Sequence, residues 1–365
     1  MSLTEQFKKK YIPGFDCRLS TFRNSLACNN IILTNSMMLG LSGALIFCFN
    51  DGHFLSRVPF FVVSGISDQT IEKISSSLNI YLFRGRMLNI ENAIEQIPRY
   101  LSKNIPLNIA INRYALFEIT GRKNNKDRFN INMGFHYVTL TDFDKKEDKF
   151  TIFETDSSIP IILNRDQLEY IWFYDILNQR KGIDPFQLCD GQWYSFLCKD
   201  SSKRQLIKGC FDGIENVLIN FYKSPVDSVL GINALHNFKT KMHFWKDQID
   251  DIKYFCDSIS FMSVMESGLS GGGFGRKLFS YFLNEFSVLI GNDELKIISY
   301  EFTNQAKHWS ILTKKLANCI SFDKQYEIDM NKLKSIIDQD LDSIIDSEIR
   351  CMQLLNKWMI INTLK

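Results

Sequence analysis

Apolar residues recur at two different spacings along the chain. In the first half, segments with helical spacing, such as 18–30 and 90–97, alternate with short apolar runs at 60–65, 80–83 and 107–111 that are typical of strands. In the second half, apolar residues lie three or four positions apart almost throughout, which predicts helices. The pattern therefore predicts an α+β part followed by a mostly α-helical part.

A segment with helix-breaking residues separates these two parts. Residues 181–186 read Lys-Gly-Ile-Asp-Pro-Phe, where glycine and proline interrupt the periodicity. The length of 365 residues also favours two domains over one. We predict that the domains are residues 1–180 and 181–365.

Cys17 has the clearest chemical context of the nine cysteines. The turn-forming pair Pro13-Gly14 precedes it closely, and the helical spacing begins beside it. A thiol in the first turn of a helix lies near unpaired N–H groups, whose partial positive charge stabilises a thiolate. The context favours a cysteine nucleophile, although a lone cysteine is also commonly a small buried hydrophobic residue.

Two consecutive β-like runs supply a general base and a carboxylate. His136 begins the run 136–140, and the run 149–156 ends in Asp156. If the runs pair as a hairpin across residues 142–148, Asp156 lies beside His136 and can orient its imidazole. The alternatives are an ordinary core or surface histidine, and an aspartate that simply begins the following turn.

Several short motifs carry a resemblance to a known family. They lie at residues 14–17, 23–26, 39–47 and 136–138, with Asp156 downstream, and again at 271–283 and 309–312. They resemble the papain-like acyltransferase family of the butirosin-biosynthesis type, including the helical domain that often follows its core. The resemblance implies an α+β fold, in which a papain-like cysteine protease core is followed by a mostly α-helical domain that completes the substrate cleft.

The same resemblance implies an amide-forming acyltransferase of antibiotic or nonribosomal peptide biosynthesis. Cys17 would take an acyl group from the phosphopantetheine thioester of an acyl or peptidyl carrier protein. His136 would deprotonate the primary amine that then receives this group, and Asp156 would hold the His136 tautomer. The implied partners are the carrier protein and a small amine, with no cofactor beyond the carrier's pantetheine arm.

Two positions depart from the family pattern. Asp16 stands where the family commonly has histidine, and Tyr11 stands where papain-like proteases carry the glutamine of the oxyanion hole. An oxyanion needs donors that are already aimed at it. The Cys17 backbone N–H can supply one donor, and we consider the Tyr11 hydroxyl as the second.

The glycine-rich segment 267–276 ends in Arg276. Its spacing fits neither a P-loop nor a dinucleotide fingerprint, and no clear strand precedes it. It can be a flexible connection before the next helix. Alternatively, that helix N-terminus and Arg276 hold the phosphate of a pantetheine arm or an acidic group of the substrate.

Composition and charge exclude several classes of function. The net charge of +2 offers no general attraction to nucleic acid. The cysteines form no Cys-x-x-Cys pair, so neither a metal site nor a disulfide scaffold is indicated. The N-terminus lacks the apolar core of a signal peptide, and the apolar run 37–49 is too short to span a bilayer. We expect a cytoplasmic protein without a membrane partner.

Two other functions remain open at this stage. A cysteine peptidase or amidohydrolase would use the same catalytic residues with water as the acceptor, and fold resemblance does not separate the two. A non-catalytic binding protein would merely bury Cys17.

Overall fold

A computed structural model gives the architecture of most of the chain. It describes residues 2–14, 16–50, 61–64, 70–121, 135–174, 189–198, 202–223, 230–248, 252–321 and 327–363. The predicted linker at 181–186 lies outside these residues. In the part described, no helix combines the length and the apolar character that a membrane crossing requires.

The described part of residues 1–198 mixes helices with strands. The helices are α1 (Leu3–Lys10), α2 (Cys17–Cys28), α3 (Asn35–Ser42), α4 (Thr70–Ser77), α5 (Ile90–Leu101), α6 (Arg113–Thr120) and α7 (Arg165–Trp172). The strands are β1 (Phe47–Asn50), β2 (Phe61–Ser64), β3 (Ile80–Arg86), β4 (Leu107–Asn112), β5 (Phe135–Asp144), β6 (Lys149–Phe153), β7 (Ile161–Asn164) and β8 (Gln192–Cys198). The helix predicted from residue 18 and the strands predicted at 80–83 and 107–111 are confirmed.

The remainder is helical apart from one short β pair. Its helices are α8 (Lys203–Tyr222), α9 (Gly231–Gln248), α10 (Ile252–Val264), α11 (Arg276–Ile290), α12 (Asp293–Ala317), α13 (Met330–Ile336) and α14 (Asp342–Thr363). The short pair is β9 (Ile320–Ser321) with β10 (Glu327–Ile328). The protein is therefore α+β with a helical C-terminal region, as the apolar spacing predicts.

One antiparallel sheet organises the strands around the predicted site. Its order is β3-β8-β4-β5-β6-β7, and every neighbouring pair is antiparallel. Alternate residues of β4 and β5, such as Ile109 and Val138, are fully buried in one cluster with α5 and α7. Residues of opposite parity, such as Asn108 and Thr139, hydrogen-bond each other at 2.8 Å, and Ser25 of α2 bonds to the same Asn108. Helix α2 thus packs on the opposite face of the sheet.

By internal contacts the chain forms two compact units that interleave in sequence. One contains residues 1–35 and 78–201, and the other contains residues 36–77 and 202–365. This grouping differs from a single cut at residue 180, because residues 36–77 join the helical C-terminal part. The division into domains at 1–180 and 181–365 stays a prediction.

The second unit has an aromatic core. Phe279, Phe282 and Phe286 follow helical spacing along α11 and are completely buried. Phe302 of α12 contacts Phe279 with a ring separation of 5.0 Å. Burial of large aromatic side chains is the main source of stability in such a helical layer.

Candidate active site

Cys17 is the first residue of α2, as its sequence context predicts. Asp16 is the N-cap of this helix, and its carboxylate accepts a hydrogen bond of 2.7 Å from the Leu19 N–H. A backbone hydrogen bond from Arg18 also reaches this carboxylate. Burial raises the pKa of Asp16, while these bonds and the Arg18 charge oppose the rise. Asp16 therefore acts as the cap that begins the helix at the thiol.

His136 contacts both Cys17 and a carboxylate. It is the second residue of β5 and only 5% exposed. The imidazole is hydrogen-bonded to Cys17, and its Nε2 lies 2.7 Å from Oε1 of Glu154. Because Nε2 contacts Glu154, Nδ1 is the ring nitrogen available to the thiol. Burial lowers the pKa of His136, but the charges of Glu154 and Cys17 and the hydrogen bonds to both raise it to about 9.

Glu154 is the carboxylate that sequence reasoning missed. It directly follows β6, and its side chain is completely buried. Burial alone would raise the pKa of Glu154, yet the charge and hydrogen bond of His136, with a smaller contribution from Arg113, lower it to about 2. The pKa of His136 rises and that of Glu154 falls, because each partner stabilises the charged form of the other. His136 and Glu154 form a buried ion pair.

Asp156 does not lie at the imidazole. Its side chain is 56% exposed, and its Oδ2 is 3.8 Å from Nη2 of Arg113. Beyond a bulge at 140–142, Thr139 pairs with Phe153. Continuing that register would bring Asp156 opposite His136, but β6 ends at Phe153. Residues two apart share a face of a strand, so alternation in the sequence could not separate Glu154 from Asp156.

The Tyr11 hydroxyl is hydrogen-bonded to the backbone of the segment that carries Glu154. It donates a hydrogen bond of 2.8 Å to the Glu154 carbonyl oxygen and is also bonded to the backbone of Ser157. Nearby, the Gly14 N–H donates to the Thr155 carbonyl oxygen at 2.9 Å. Burial and the charges of Asp156 and Glu154 raise the pKa of Tyr11. A tyrosine has a single donor hydrogen, and this one is directed away from the role of oxyanion donor that the sequence suggested.

Helix α2 holds the same N-terminal segment from the other side. Asn24 accepts from the Ile12 N–H at 3.2 Å and donates to the Ile12 carbonyl oxygen at 3.1 Å. Arg23, which is 2% exposed, bonds to the same carbonyl and to Asn35. Burial lowers the pKa of Arg23 to about 10. Residues 11–14 are therefore bonded to helix α2 as well as to the segment 154–157.

Two tyrosines lie beside the first turn of α2. The Tyr194 hydroxyl is 2.7 Å from Oγ1 of Thr21, which itself donates to the Cys17 carbonyl oxygen at 2.7 Å. The ring of Tyr137 packs edge-on against Tyr194 at 5.1 Å. Burial, with a smaller contribution from the Cys17 charge, raises the pKa of Tyr137 to about 12. Two aromatic rings thus lie beside the helix turn that contains Cys17.

Arg276 lies in the second unit, where its guanidinium forms hydrogen bonds with other groups of the protein. It is completely buried, and its Nε and Nη2 donate to Glu348 at 3.0 and 2.6 Å. Its Nη1 donates to the Phe274 carbonyl oxygen at 2.7 Å. The structure therefore places Arg276 in an internal ion pair instead of the predicted phosphate contact. Glu348 lies 72 residues further along the chain, and no local pattern relates the two.

The glycine-rich segment before Arg276 has a packing explanation. Gly273 has φ +60°, and a Cβ added there would lie 2.4 Å from the Cα of Ala306. Only glycine fits such a close approach in the left-handed region. This agrees with a structural connection more than with a ligand cradle.

Among the described residues, no group of three or more histidine, cysteine, aspartate or glutamate side chains is arranged to hold a metal ion. The chemistry available at the site is that of a thiol, an imidazole and a carboxylate in contact. A cysteine paired with a protonated imidazole is a nucleophile, and a carboxylate on the far nitrogen sets the tautomer and orientation of the ring.

Comparison with known proteins identifies two family domains. Residues 16–155, which include Cys17, His136 and Glu154, match the family described as Butirosin biosynthesis protein H, N-terminal. Residues 185–355 match a domain of unknown function, DUF4872. A search of curated proteins finds no match. Over residues 16–155 the chain is therefore similar to the N-terminal domain of butirosin biosynthesis protein H, the family that its motifs resemble, and over residues 185–355 it is similar to DUF4872.

Proposed function

We propose that this protein is a cysteine-dependent acyltransferase that forms an amide from a carrier-bound thioester and a primary amine. The observation that carries the proposal is the contact of Cys17 with His136 and of His136 with buried Glu154. The family match supports a biosynthetic enzyme of the butirosin type. We further propose that the sheet and α2 form a papain-like core, in which Glu154 takes the part first predicted for Asp156.

In the first half-reaction, the Cys17 sulfur attacks the thioester carbonyl carbon. A protonated His136 favours the thiolate form of its neighbour. As the bond from the acyl carbon to the pantetheine sulfur breaks, His136 gives its proton to the departing thiolate. The products are acyl-Cys17, the carrier's free thiol and a neutral imidazole.

In the second half-reaction, the amine nitrogen attacks the acyl-Cys17 carbonyl carbon. His136 takes the proton that the nitrogen loses, the carbon–sulfur bond breaks, and the thiolate–imidazolium pair is restored. Each tetrahedral intermediate carries an oxyanion. The Asp16 carboxylate accepts hydrogen bonds from the N–H groups of Arg18 and Leu19, and the Cys17 N–H is the first N–H of the helix. We assign this N–H to the oxyanion.

The experiment is to incubate the protein with a panel of acyl thioesters and record intact masses before and after a diamine or amino sugar is added. We expect an acyl adduct that transfers to the amine faster than it hydrolyses and that is absent in Cys17→Ala. The matched control is Cys198→Ala, which removes a half-buried thiol whose pKa burial raises to about 11.

Two results would contradict the proposal. An adduct that forms on Cys17 but yields only free acid with every amine would favour a hydrolase. Equal adduct in wild type and Cys17→Ala would exclude Cys17 as the nucleophile.

A further inference from the structure

Tyr11 connects two segments of the site that lie far apart in the sequence, the start of α2 and residues 154–157. It follows directly after α1 and stands six residues before Cys17. Its hydroxyl contacts the segment 154–157, which is more than 140 residues further along the chain. The Tyr11 side chain therefore links the residues just before α2 to the segment 154–157, which carries Glu154. We call residues 154–157 the carboxylate segment.

The carboxylate segment needs an anchor outside the sheet. The β5–β6 ladder ends with the pair Thr139–Phe153, so Glu154 comes directly after the last ladder residue. A chain that leaves a sheet loses the hydrogen bonds that fix its backbone. Here the Glu154 carbonyl accepts from Tyr11, and the Thr155 carbonyl accepts from Gly14 at 2.9 Å. These bonds take the place of the missing ladder.

The position of the Glu154 backbone governs the ion pair. The Glu154 carboxylate is completely buried at 2.7 Å from the imidazole, with no solvent to compensate for a displaced partner. A small shift of the backbone at Glu154 would lengthen this contact directly. Charge-assisted hydrogen bonds at such distances depend strongly on geometry.

We propose that Tyr11 is a positioning residue, whose hydroxyl fixes the Glu154 backbone so that the carboxylate stays on Nε2 of His136. The inference rests on the proposed function, in which His136 acts with Cys17. It assigns Tyr11 to the support of the carboxylate, although its place in the sequence corresponds to the oxyanion glutamine of papain-like proteases.

The hydroxyl can be removed while the ring packing is kept. The Tyr11 ring contacts Phe7 and Phe153 with centroid separations of 6.1 and 6.3 Å. Phenylalanine preserves these contacts, so Tyr11→Phe tests the hydrogen bonds alone. Tyr170→Phe is the matched control, because it also removes a tyrosine hydroxyl bonded to an acceptor, here Glu118 at 2.9 Å on the surface.

The first readout is the NMR titration of His136 in the full-length protein, assigned by the loss of its signal in His136→Gln. The ionisable groups around the imidazole are Cys17 and Asp16 of the α2 start and Glu154, which is itself influenced by Asp156 and Arg113. In Tyr11→Phe we expect the His136 titration to move to lower pH, because a displaced Glu154 stabilises the imidazolium less. Tyr170→Phe should titrate as wild type does.

The second readout is the rate of Cys17 acylation, which should fall roughly tenfold in Tyr11→Phe, as expected for one lost supporting hydrogen bond. An unchanged titration and an unchanged rate would overturn the inference. A slower rate with an unchanged titration would also overturn it and return Tyr11 to the oxyanion role. Because the titration needs no substrate, a shifted titration in a protein that no thioester acylates would uphold the positioning role and reject the transferase.

Discussion

Each of the two units contains a buried ion pair. The two pairs differ in whether a side chain of the pair also contacts a reactive group. In the helical unit, Glu348 accepts hydrogen bonds from Arg276, Gln305 and Trp309, so its carboxylate is saturated by the protein. In the sheet-containing unit, Glu154 meets His136 on one nitrogen, and the other nitrogen faces a thiol. A buried pair that is fully satisfied is structural, whereas a pair that ends on a nucleophile can transfer protons. Burial and charge alone do not distinguish them.

The largest expected effect is on stability and concerns the structural pair. In Glu348→Ala, Arg276 would stay buried without its partner, and we expect a loss of about 3–5 kcal/mol in the free energy of unfolding. Denaturant unfolding followed by tryptophan fluorescence measures it. Asp346→Ala is the control, since Asp346 is an exposed carboxylate on the same helix. A Glu348→Ala variant as stable as this control would show that the pair does not support the fold.

The next effect is on activity and separates two neighbouring carboxylates. Glu154→Gln keeps the side-chain shape but removes the charge from His136, so acylation of Cys17 should slow by about 10²-fold or more. Asp156→Asn, at an exposed position, should stay within about twofold of wild type. Single-turnover acylation followed by mass spectrometry measures both rates. The reverse order of effects would restore Asp156 as the partner of His136.

The smallest expected effect is the pH dependence of stability that arises from the pair of His136 and Glu154. The pKa of His136 is raised to about 9, so its contribution to stability is fully present below its ordinary value near 6.5 and is lost as the pH rises through about 9. Glu154, with its pKa lowered to about 2, contributes above its ordinary value and loses the contribution only as the pH falls toward 2.

The acylation rate should follow the same ionisation. It should decline to half near pH 9, where the imidazolium loses the proton that the leaving thiolate needs. Rates measured between pH 6 and 10 test this, and in Glu154→Gln the decline should occur at lower pH. A decline at the same pH in both proteins would mean that the alkaline limb reports another group.

Local sequence features are enough to predict the elements that carry Cys17 and His136. The start of α2 at Cys17 was predictable because turn residues and helical spacing act over a few positions. The strand context of His136 was predictable for the same reason. Asp156 and Glu154 have the same parity, so strand alternation does not separate them, and the end of β6 at Phe153 depends on contacts that no local pattern encodes.

For Arg276, the local pattern predicts a ligand contact, whereas the structure has an internal ion pair. A glycine-rich segment before a helix is typical of an anion site, yet here it allows close packing against Ala306 and leads to an internal ion pair. An arginine looks the same in sequence whether its carboxylate partner belongs to a ligand or to the protein. Only the position of Glu348 decides between these possibilities.

By itself, the sequence determined the α+β class, the helical C-terminal part, the family resemblance and the local context of Cys17 and His136, because periodicity, turn chemistry and short motifs are local properties. Only the tertiary structure decided that Glu154 holds His136, that Tyr11 holds the Glu154 segment, and that residues 36–77 group with residues 202–365. These are contacts between residues far apart in the chain. Their geometry depends on where strands end and how side chains pack, which is settled only when the whole chain has folded.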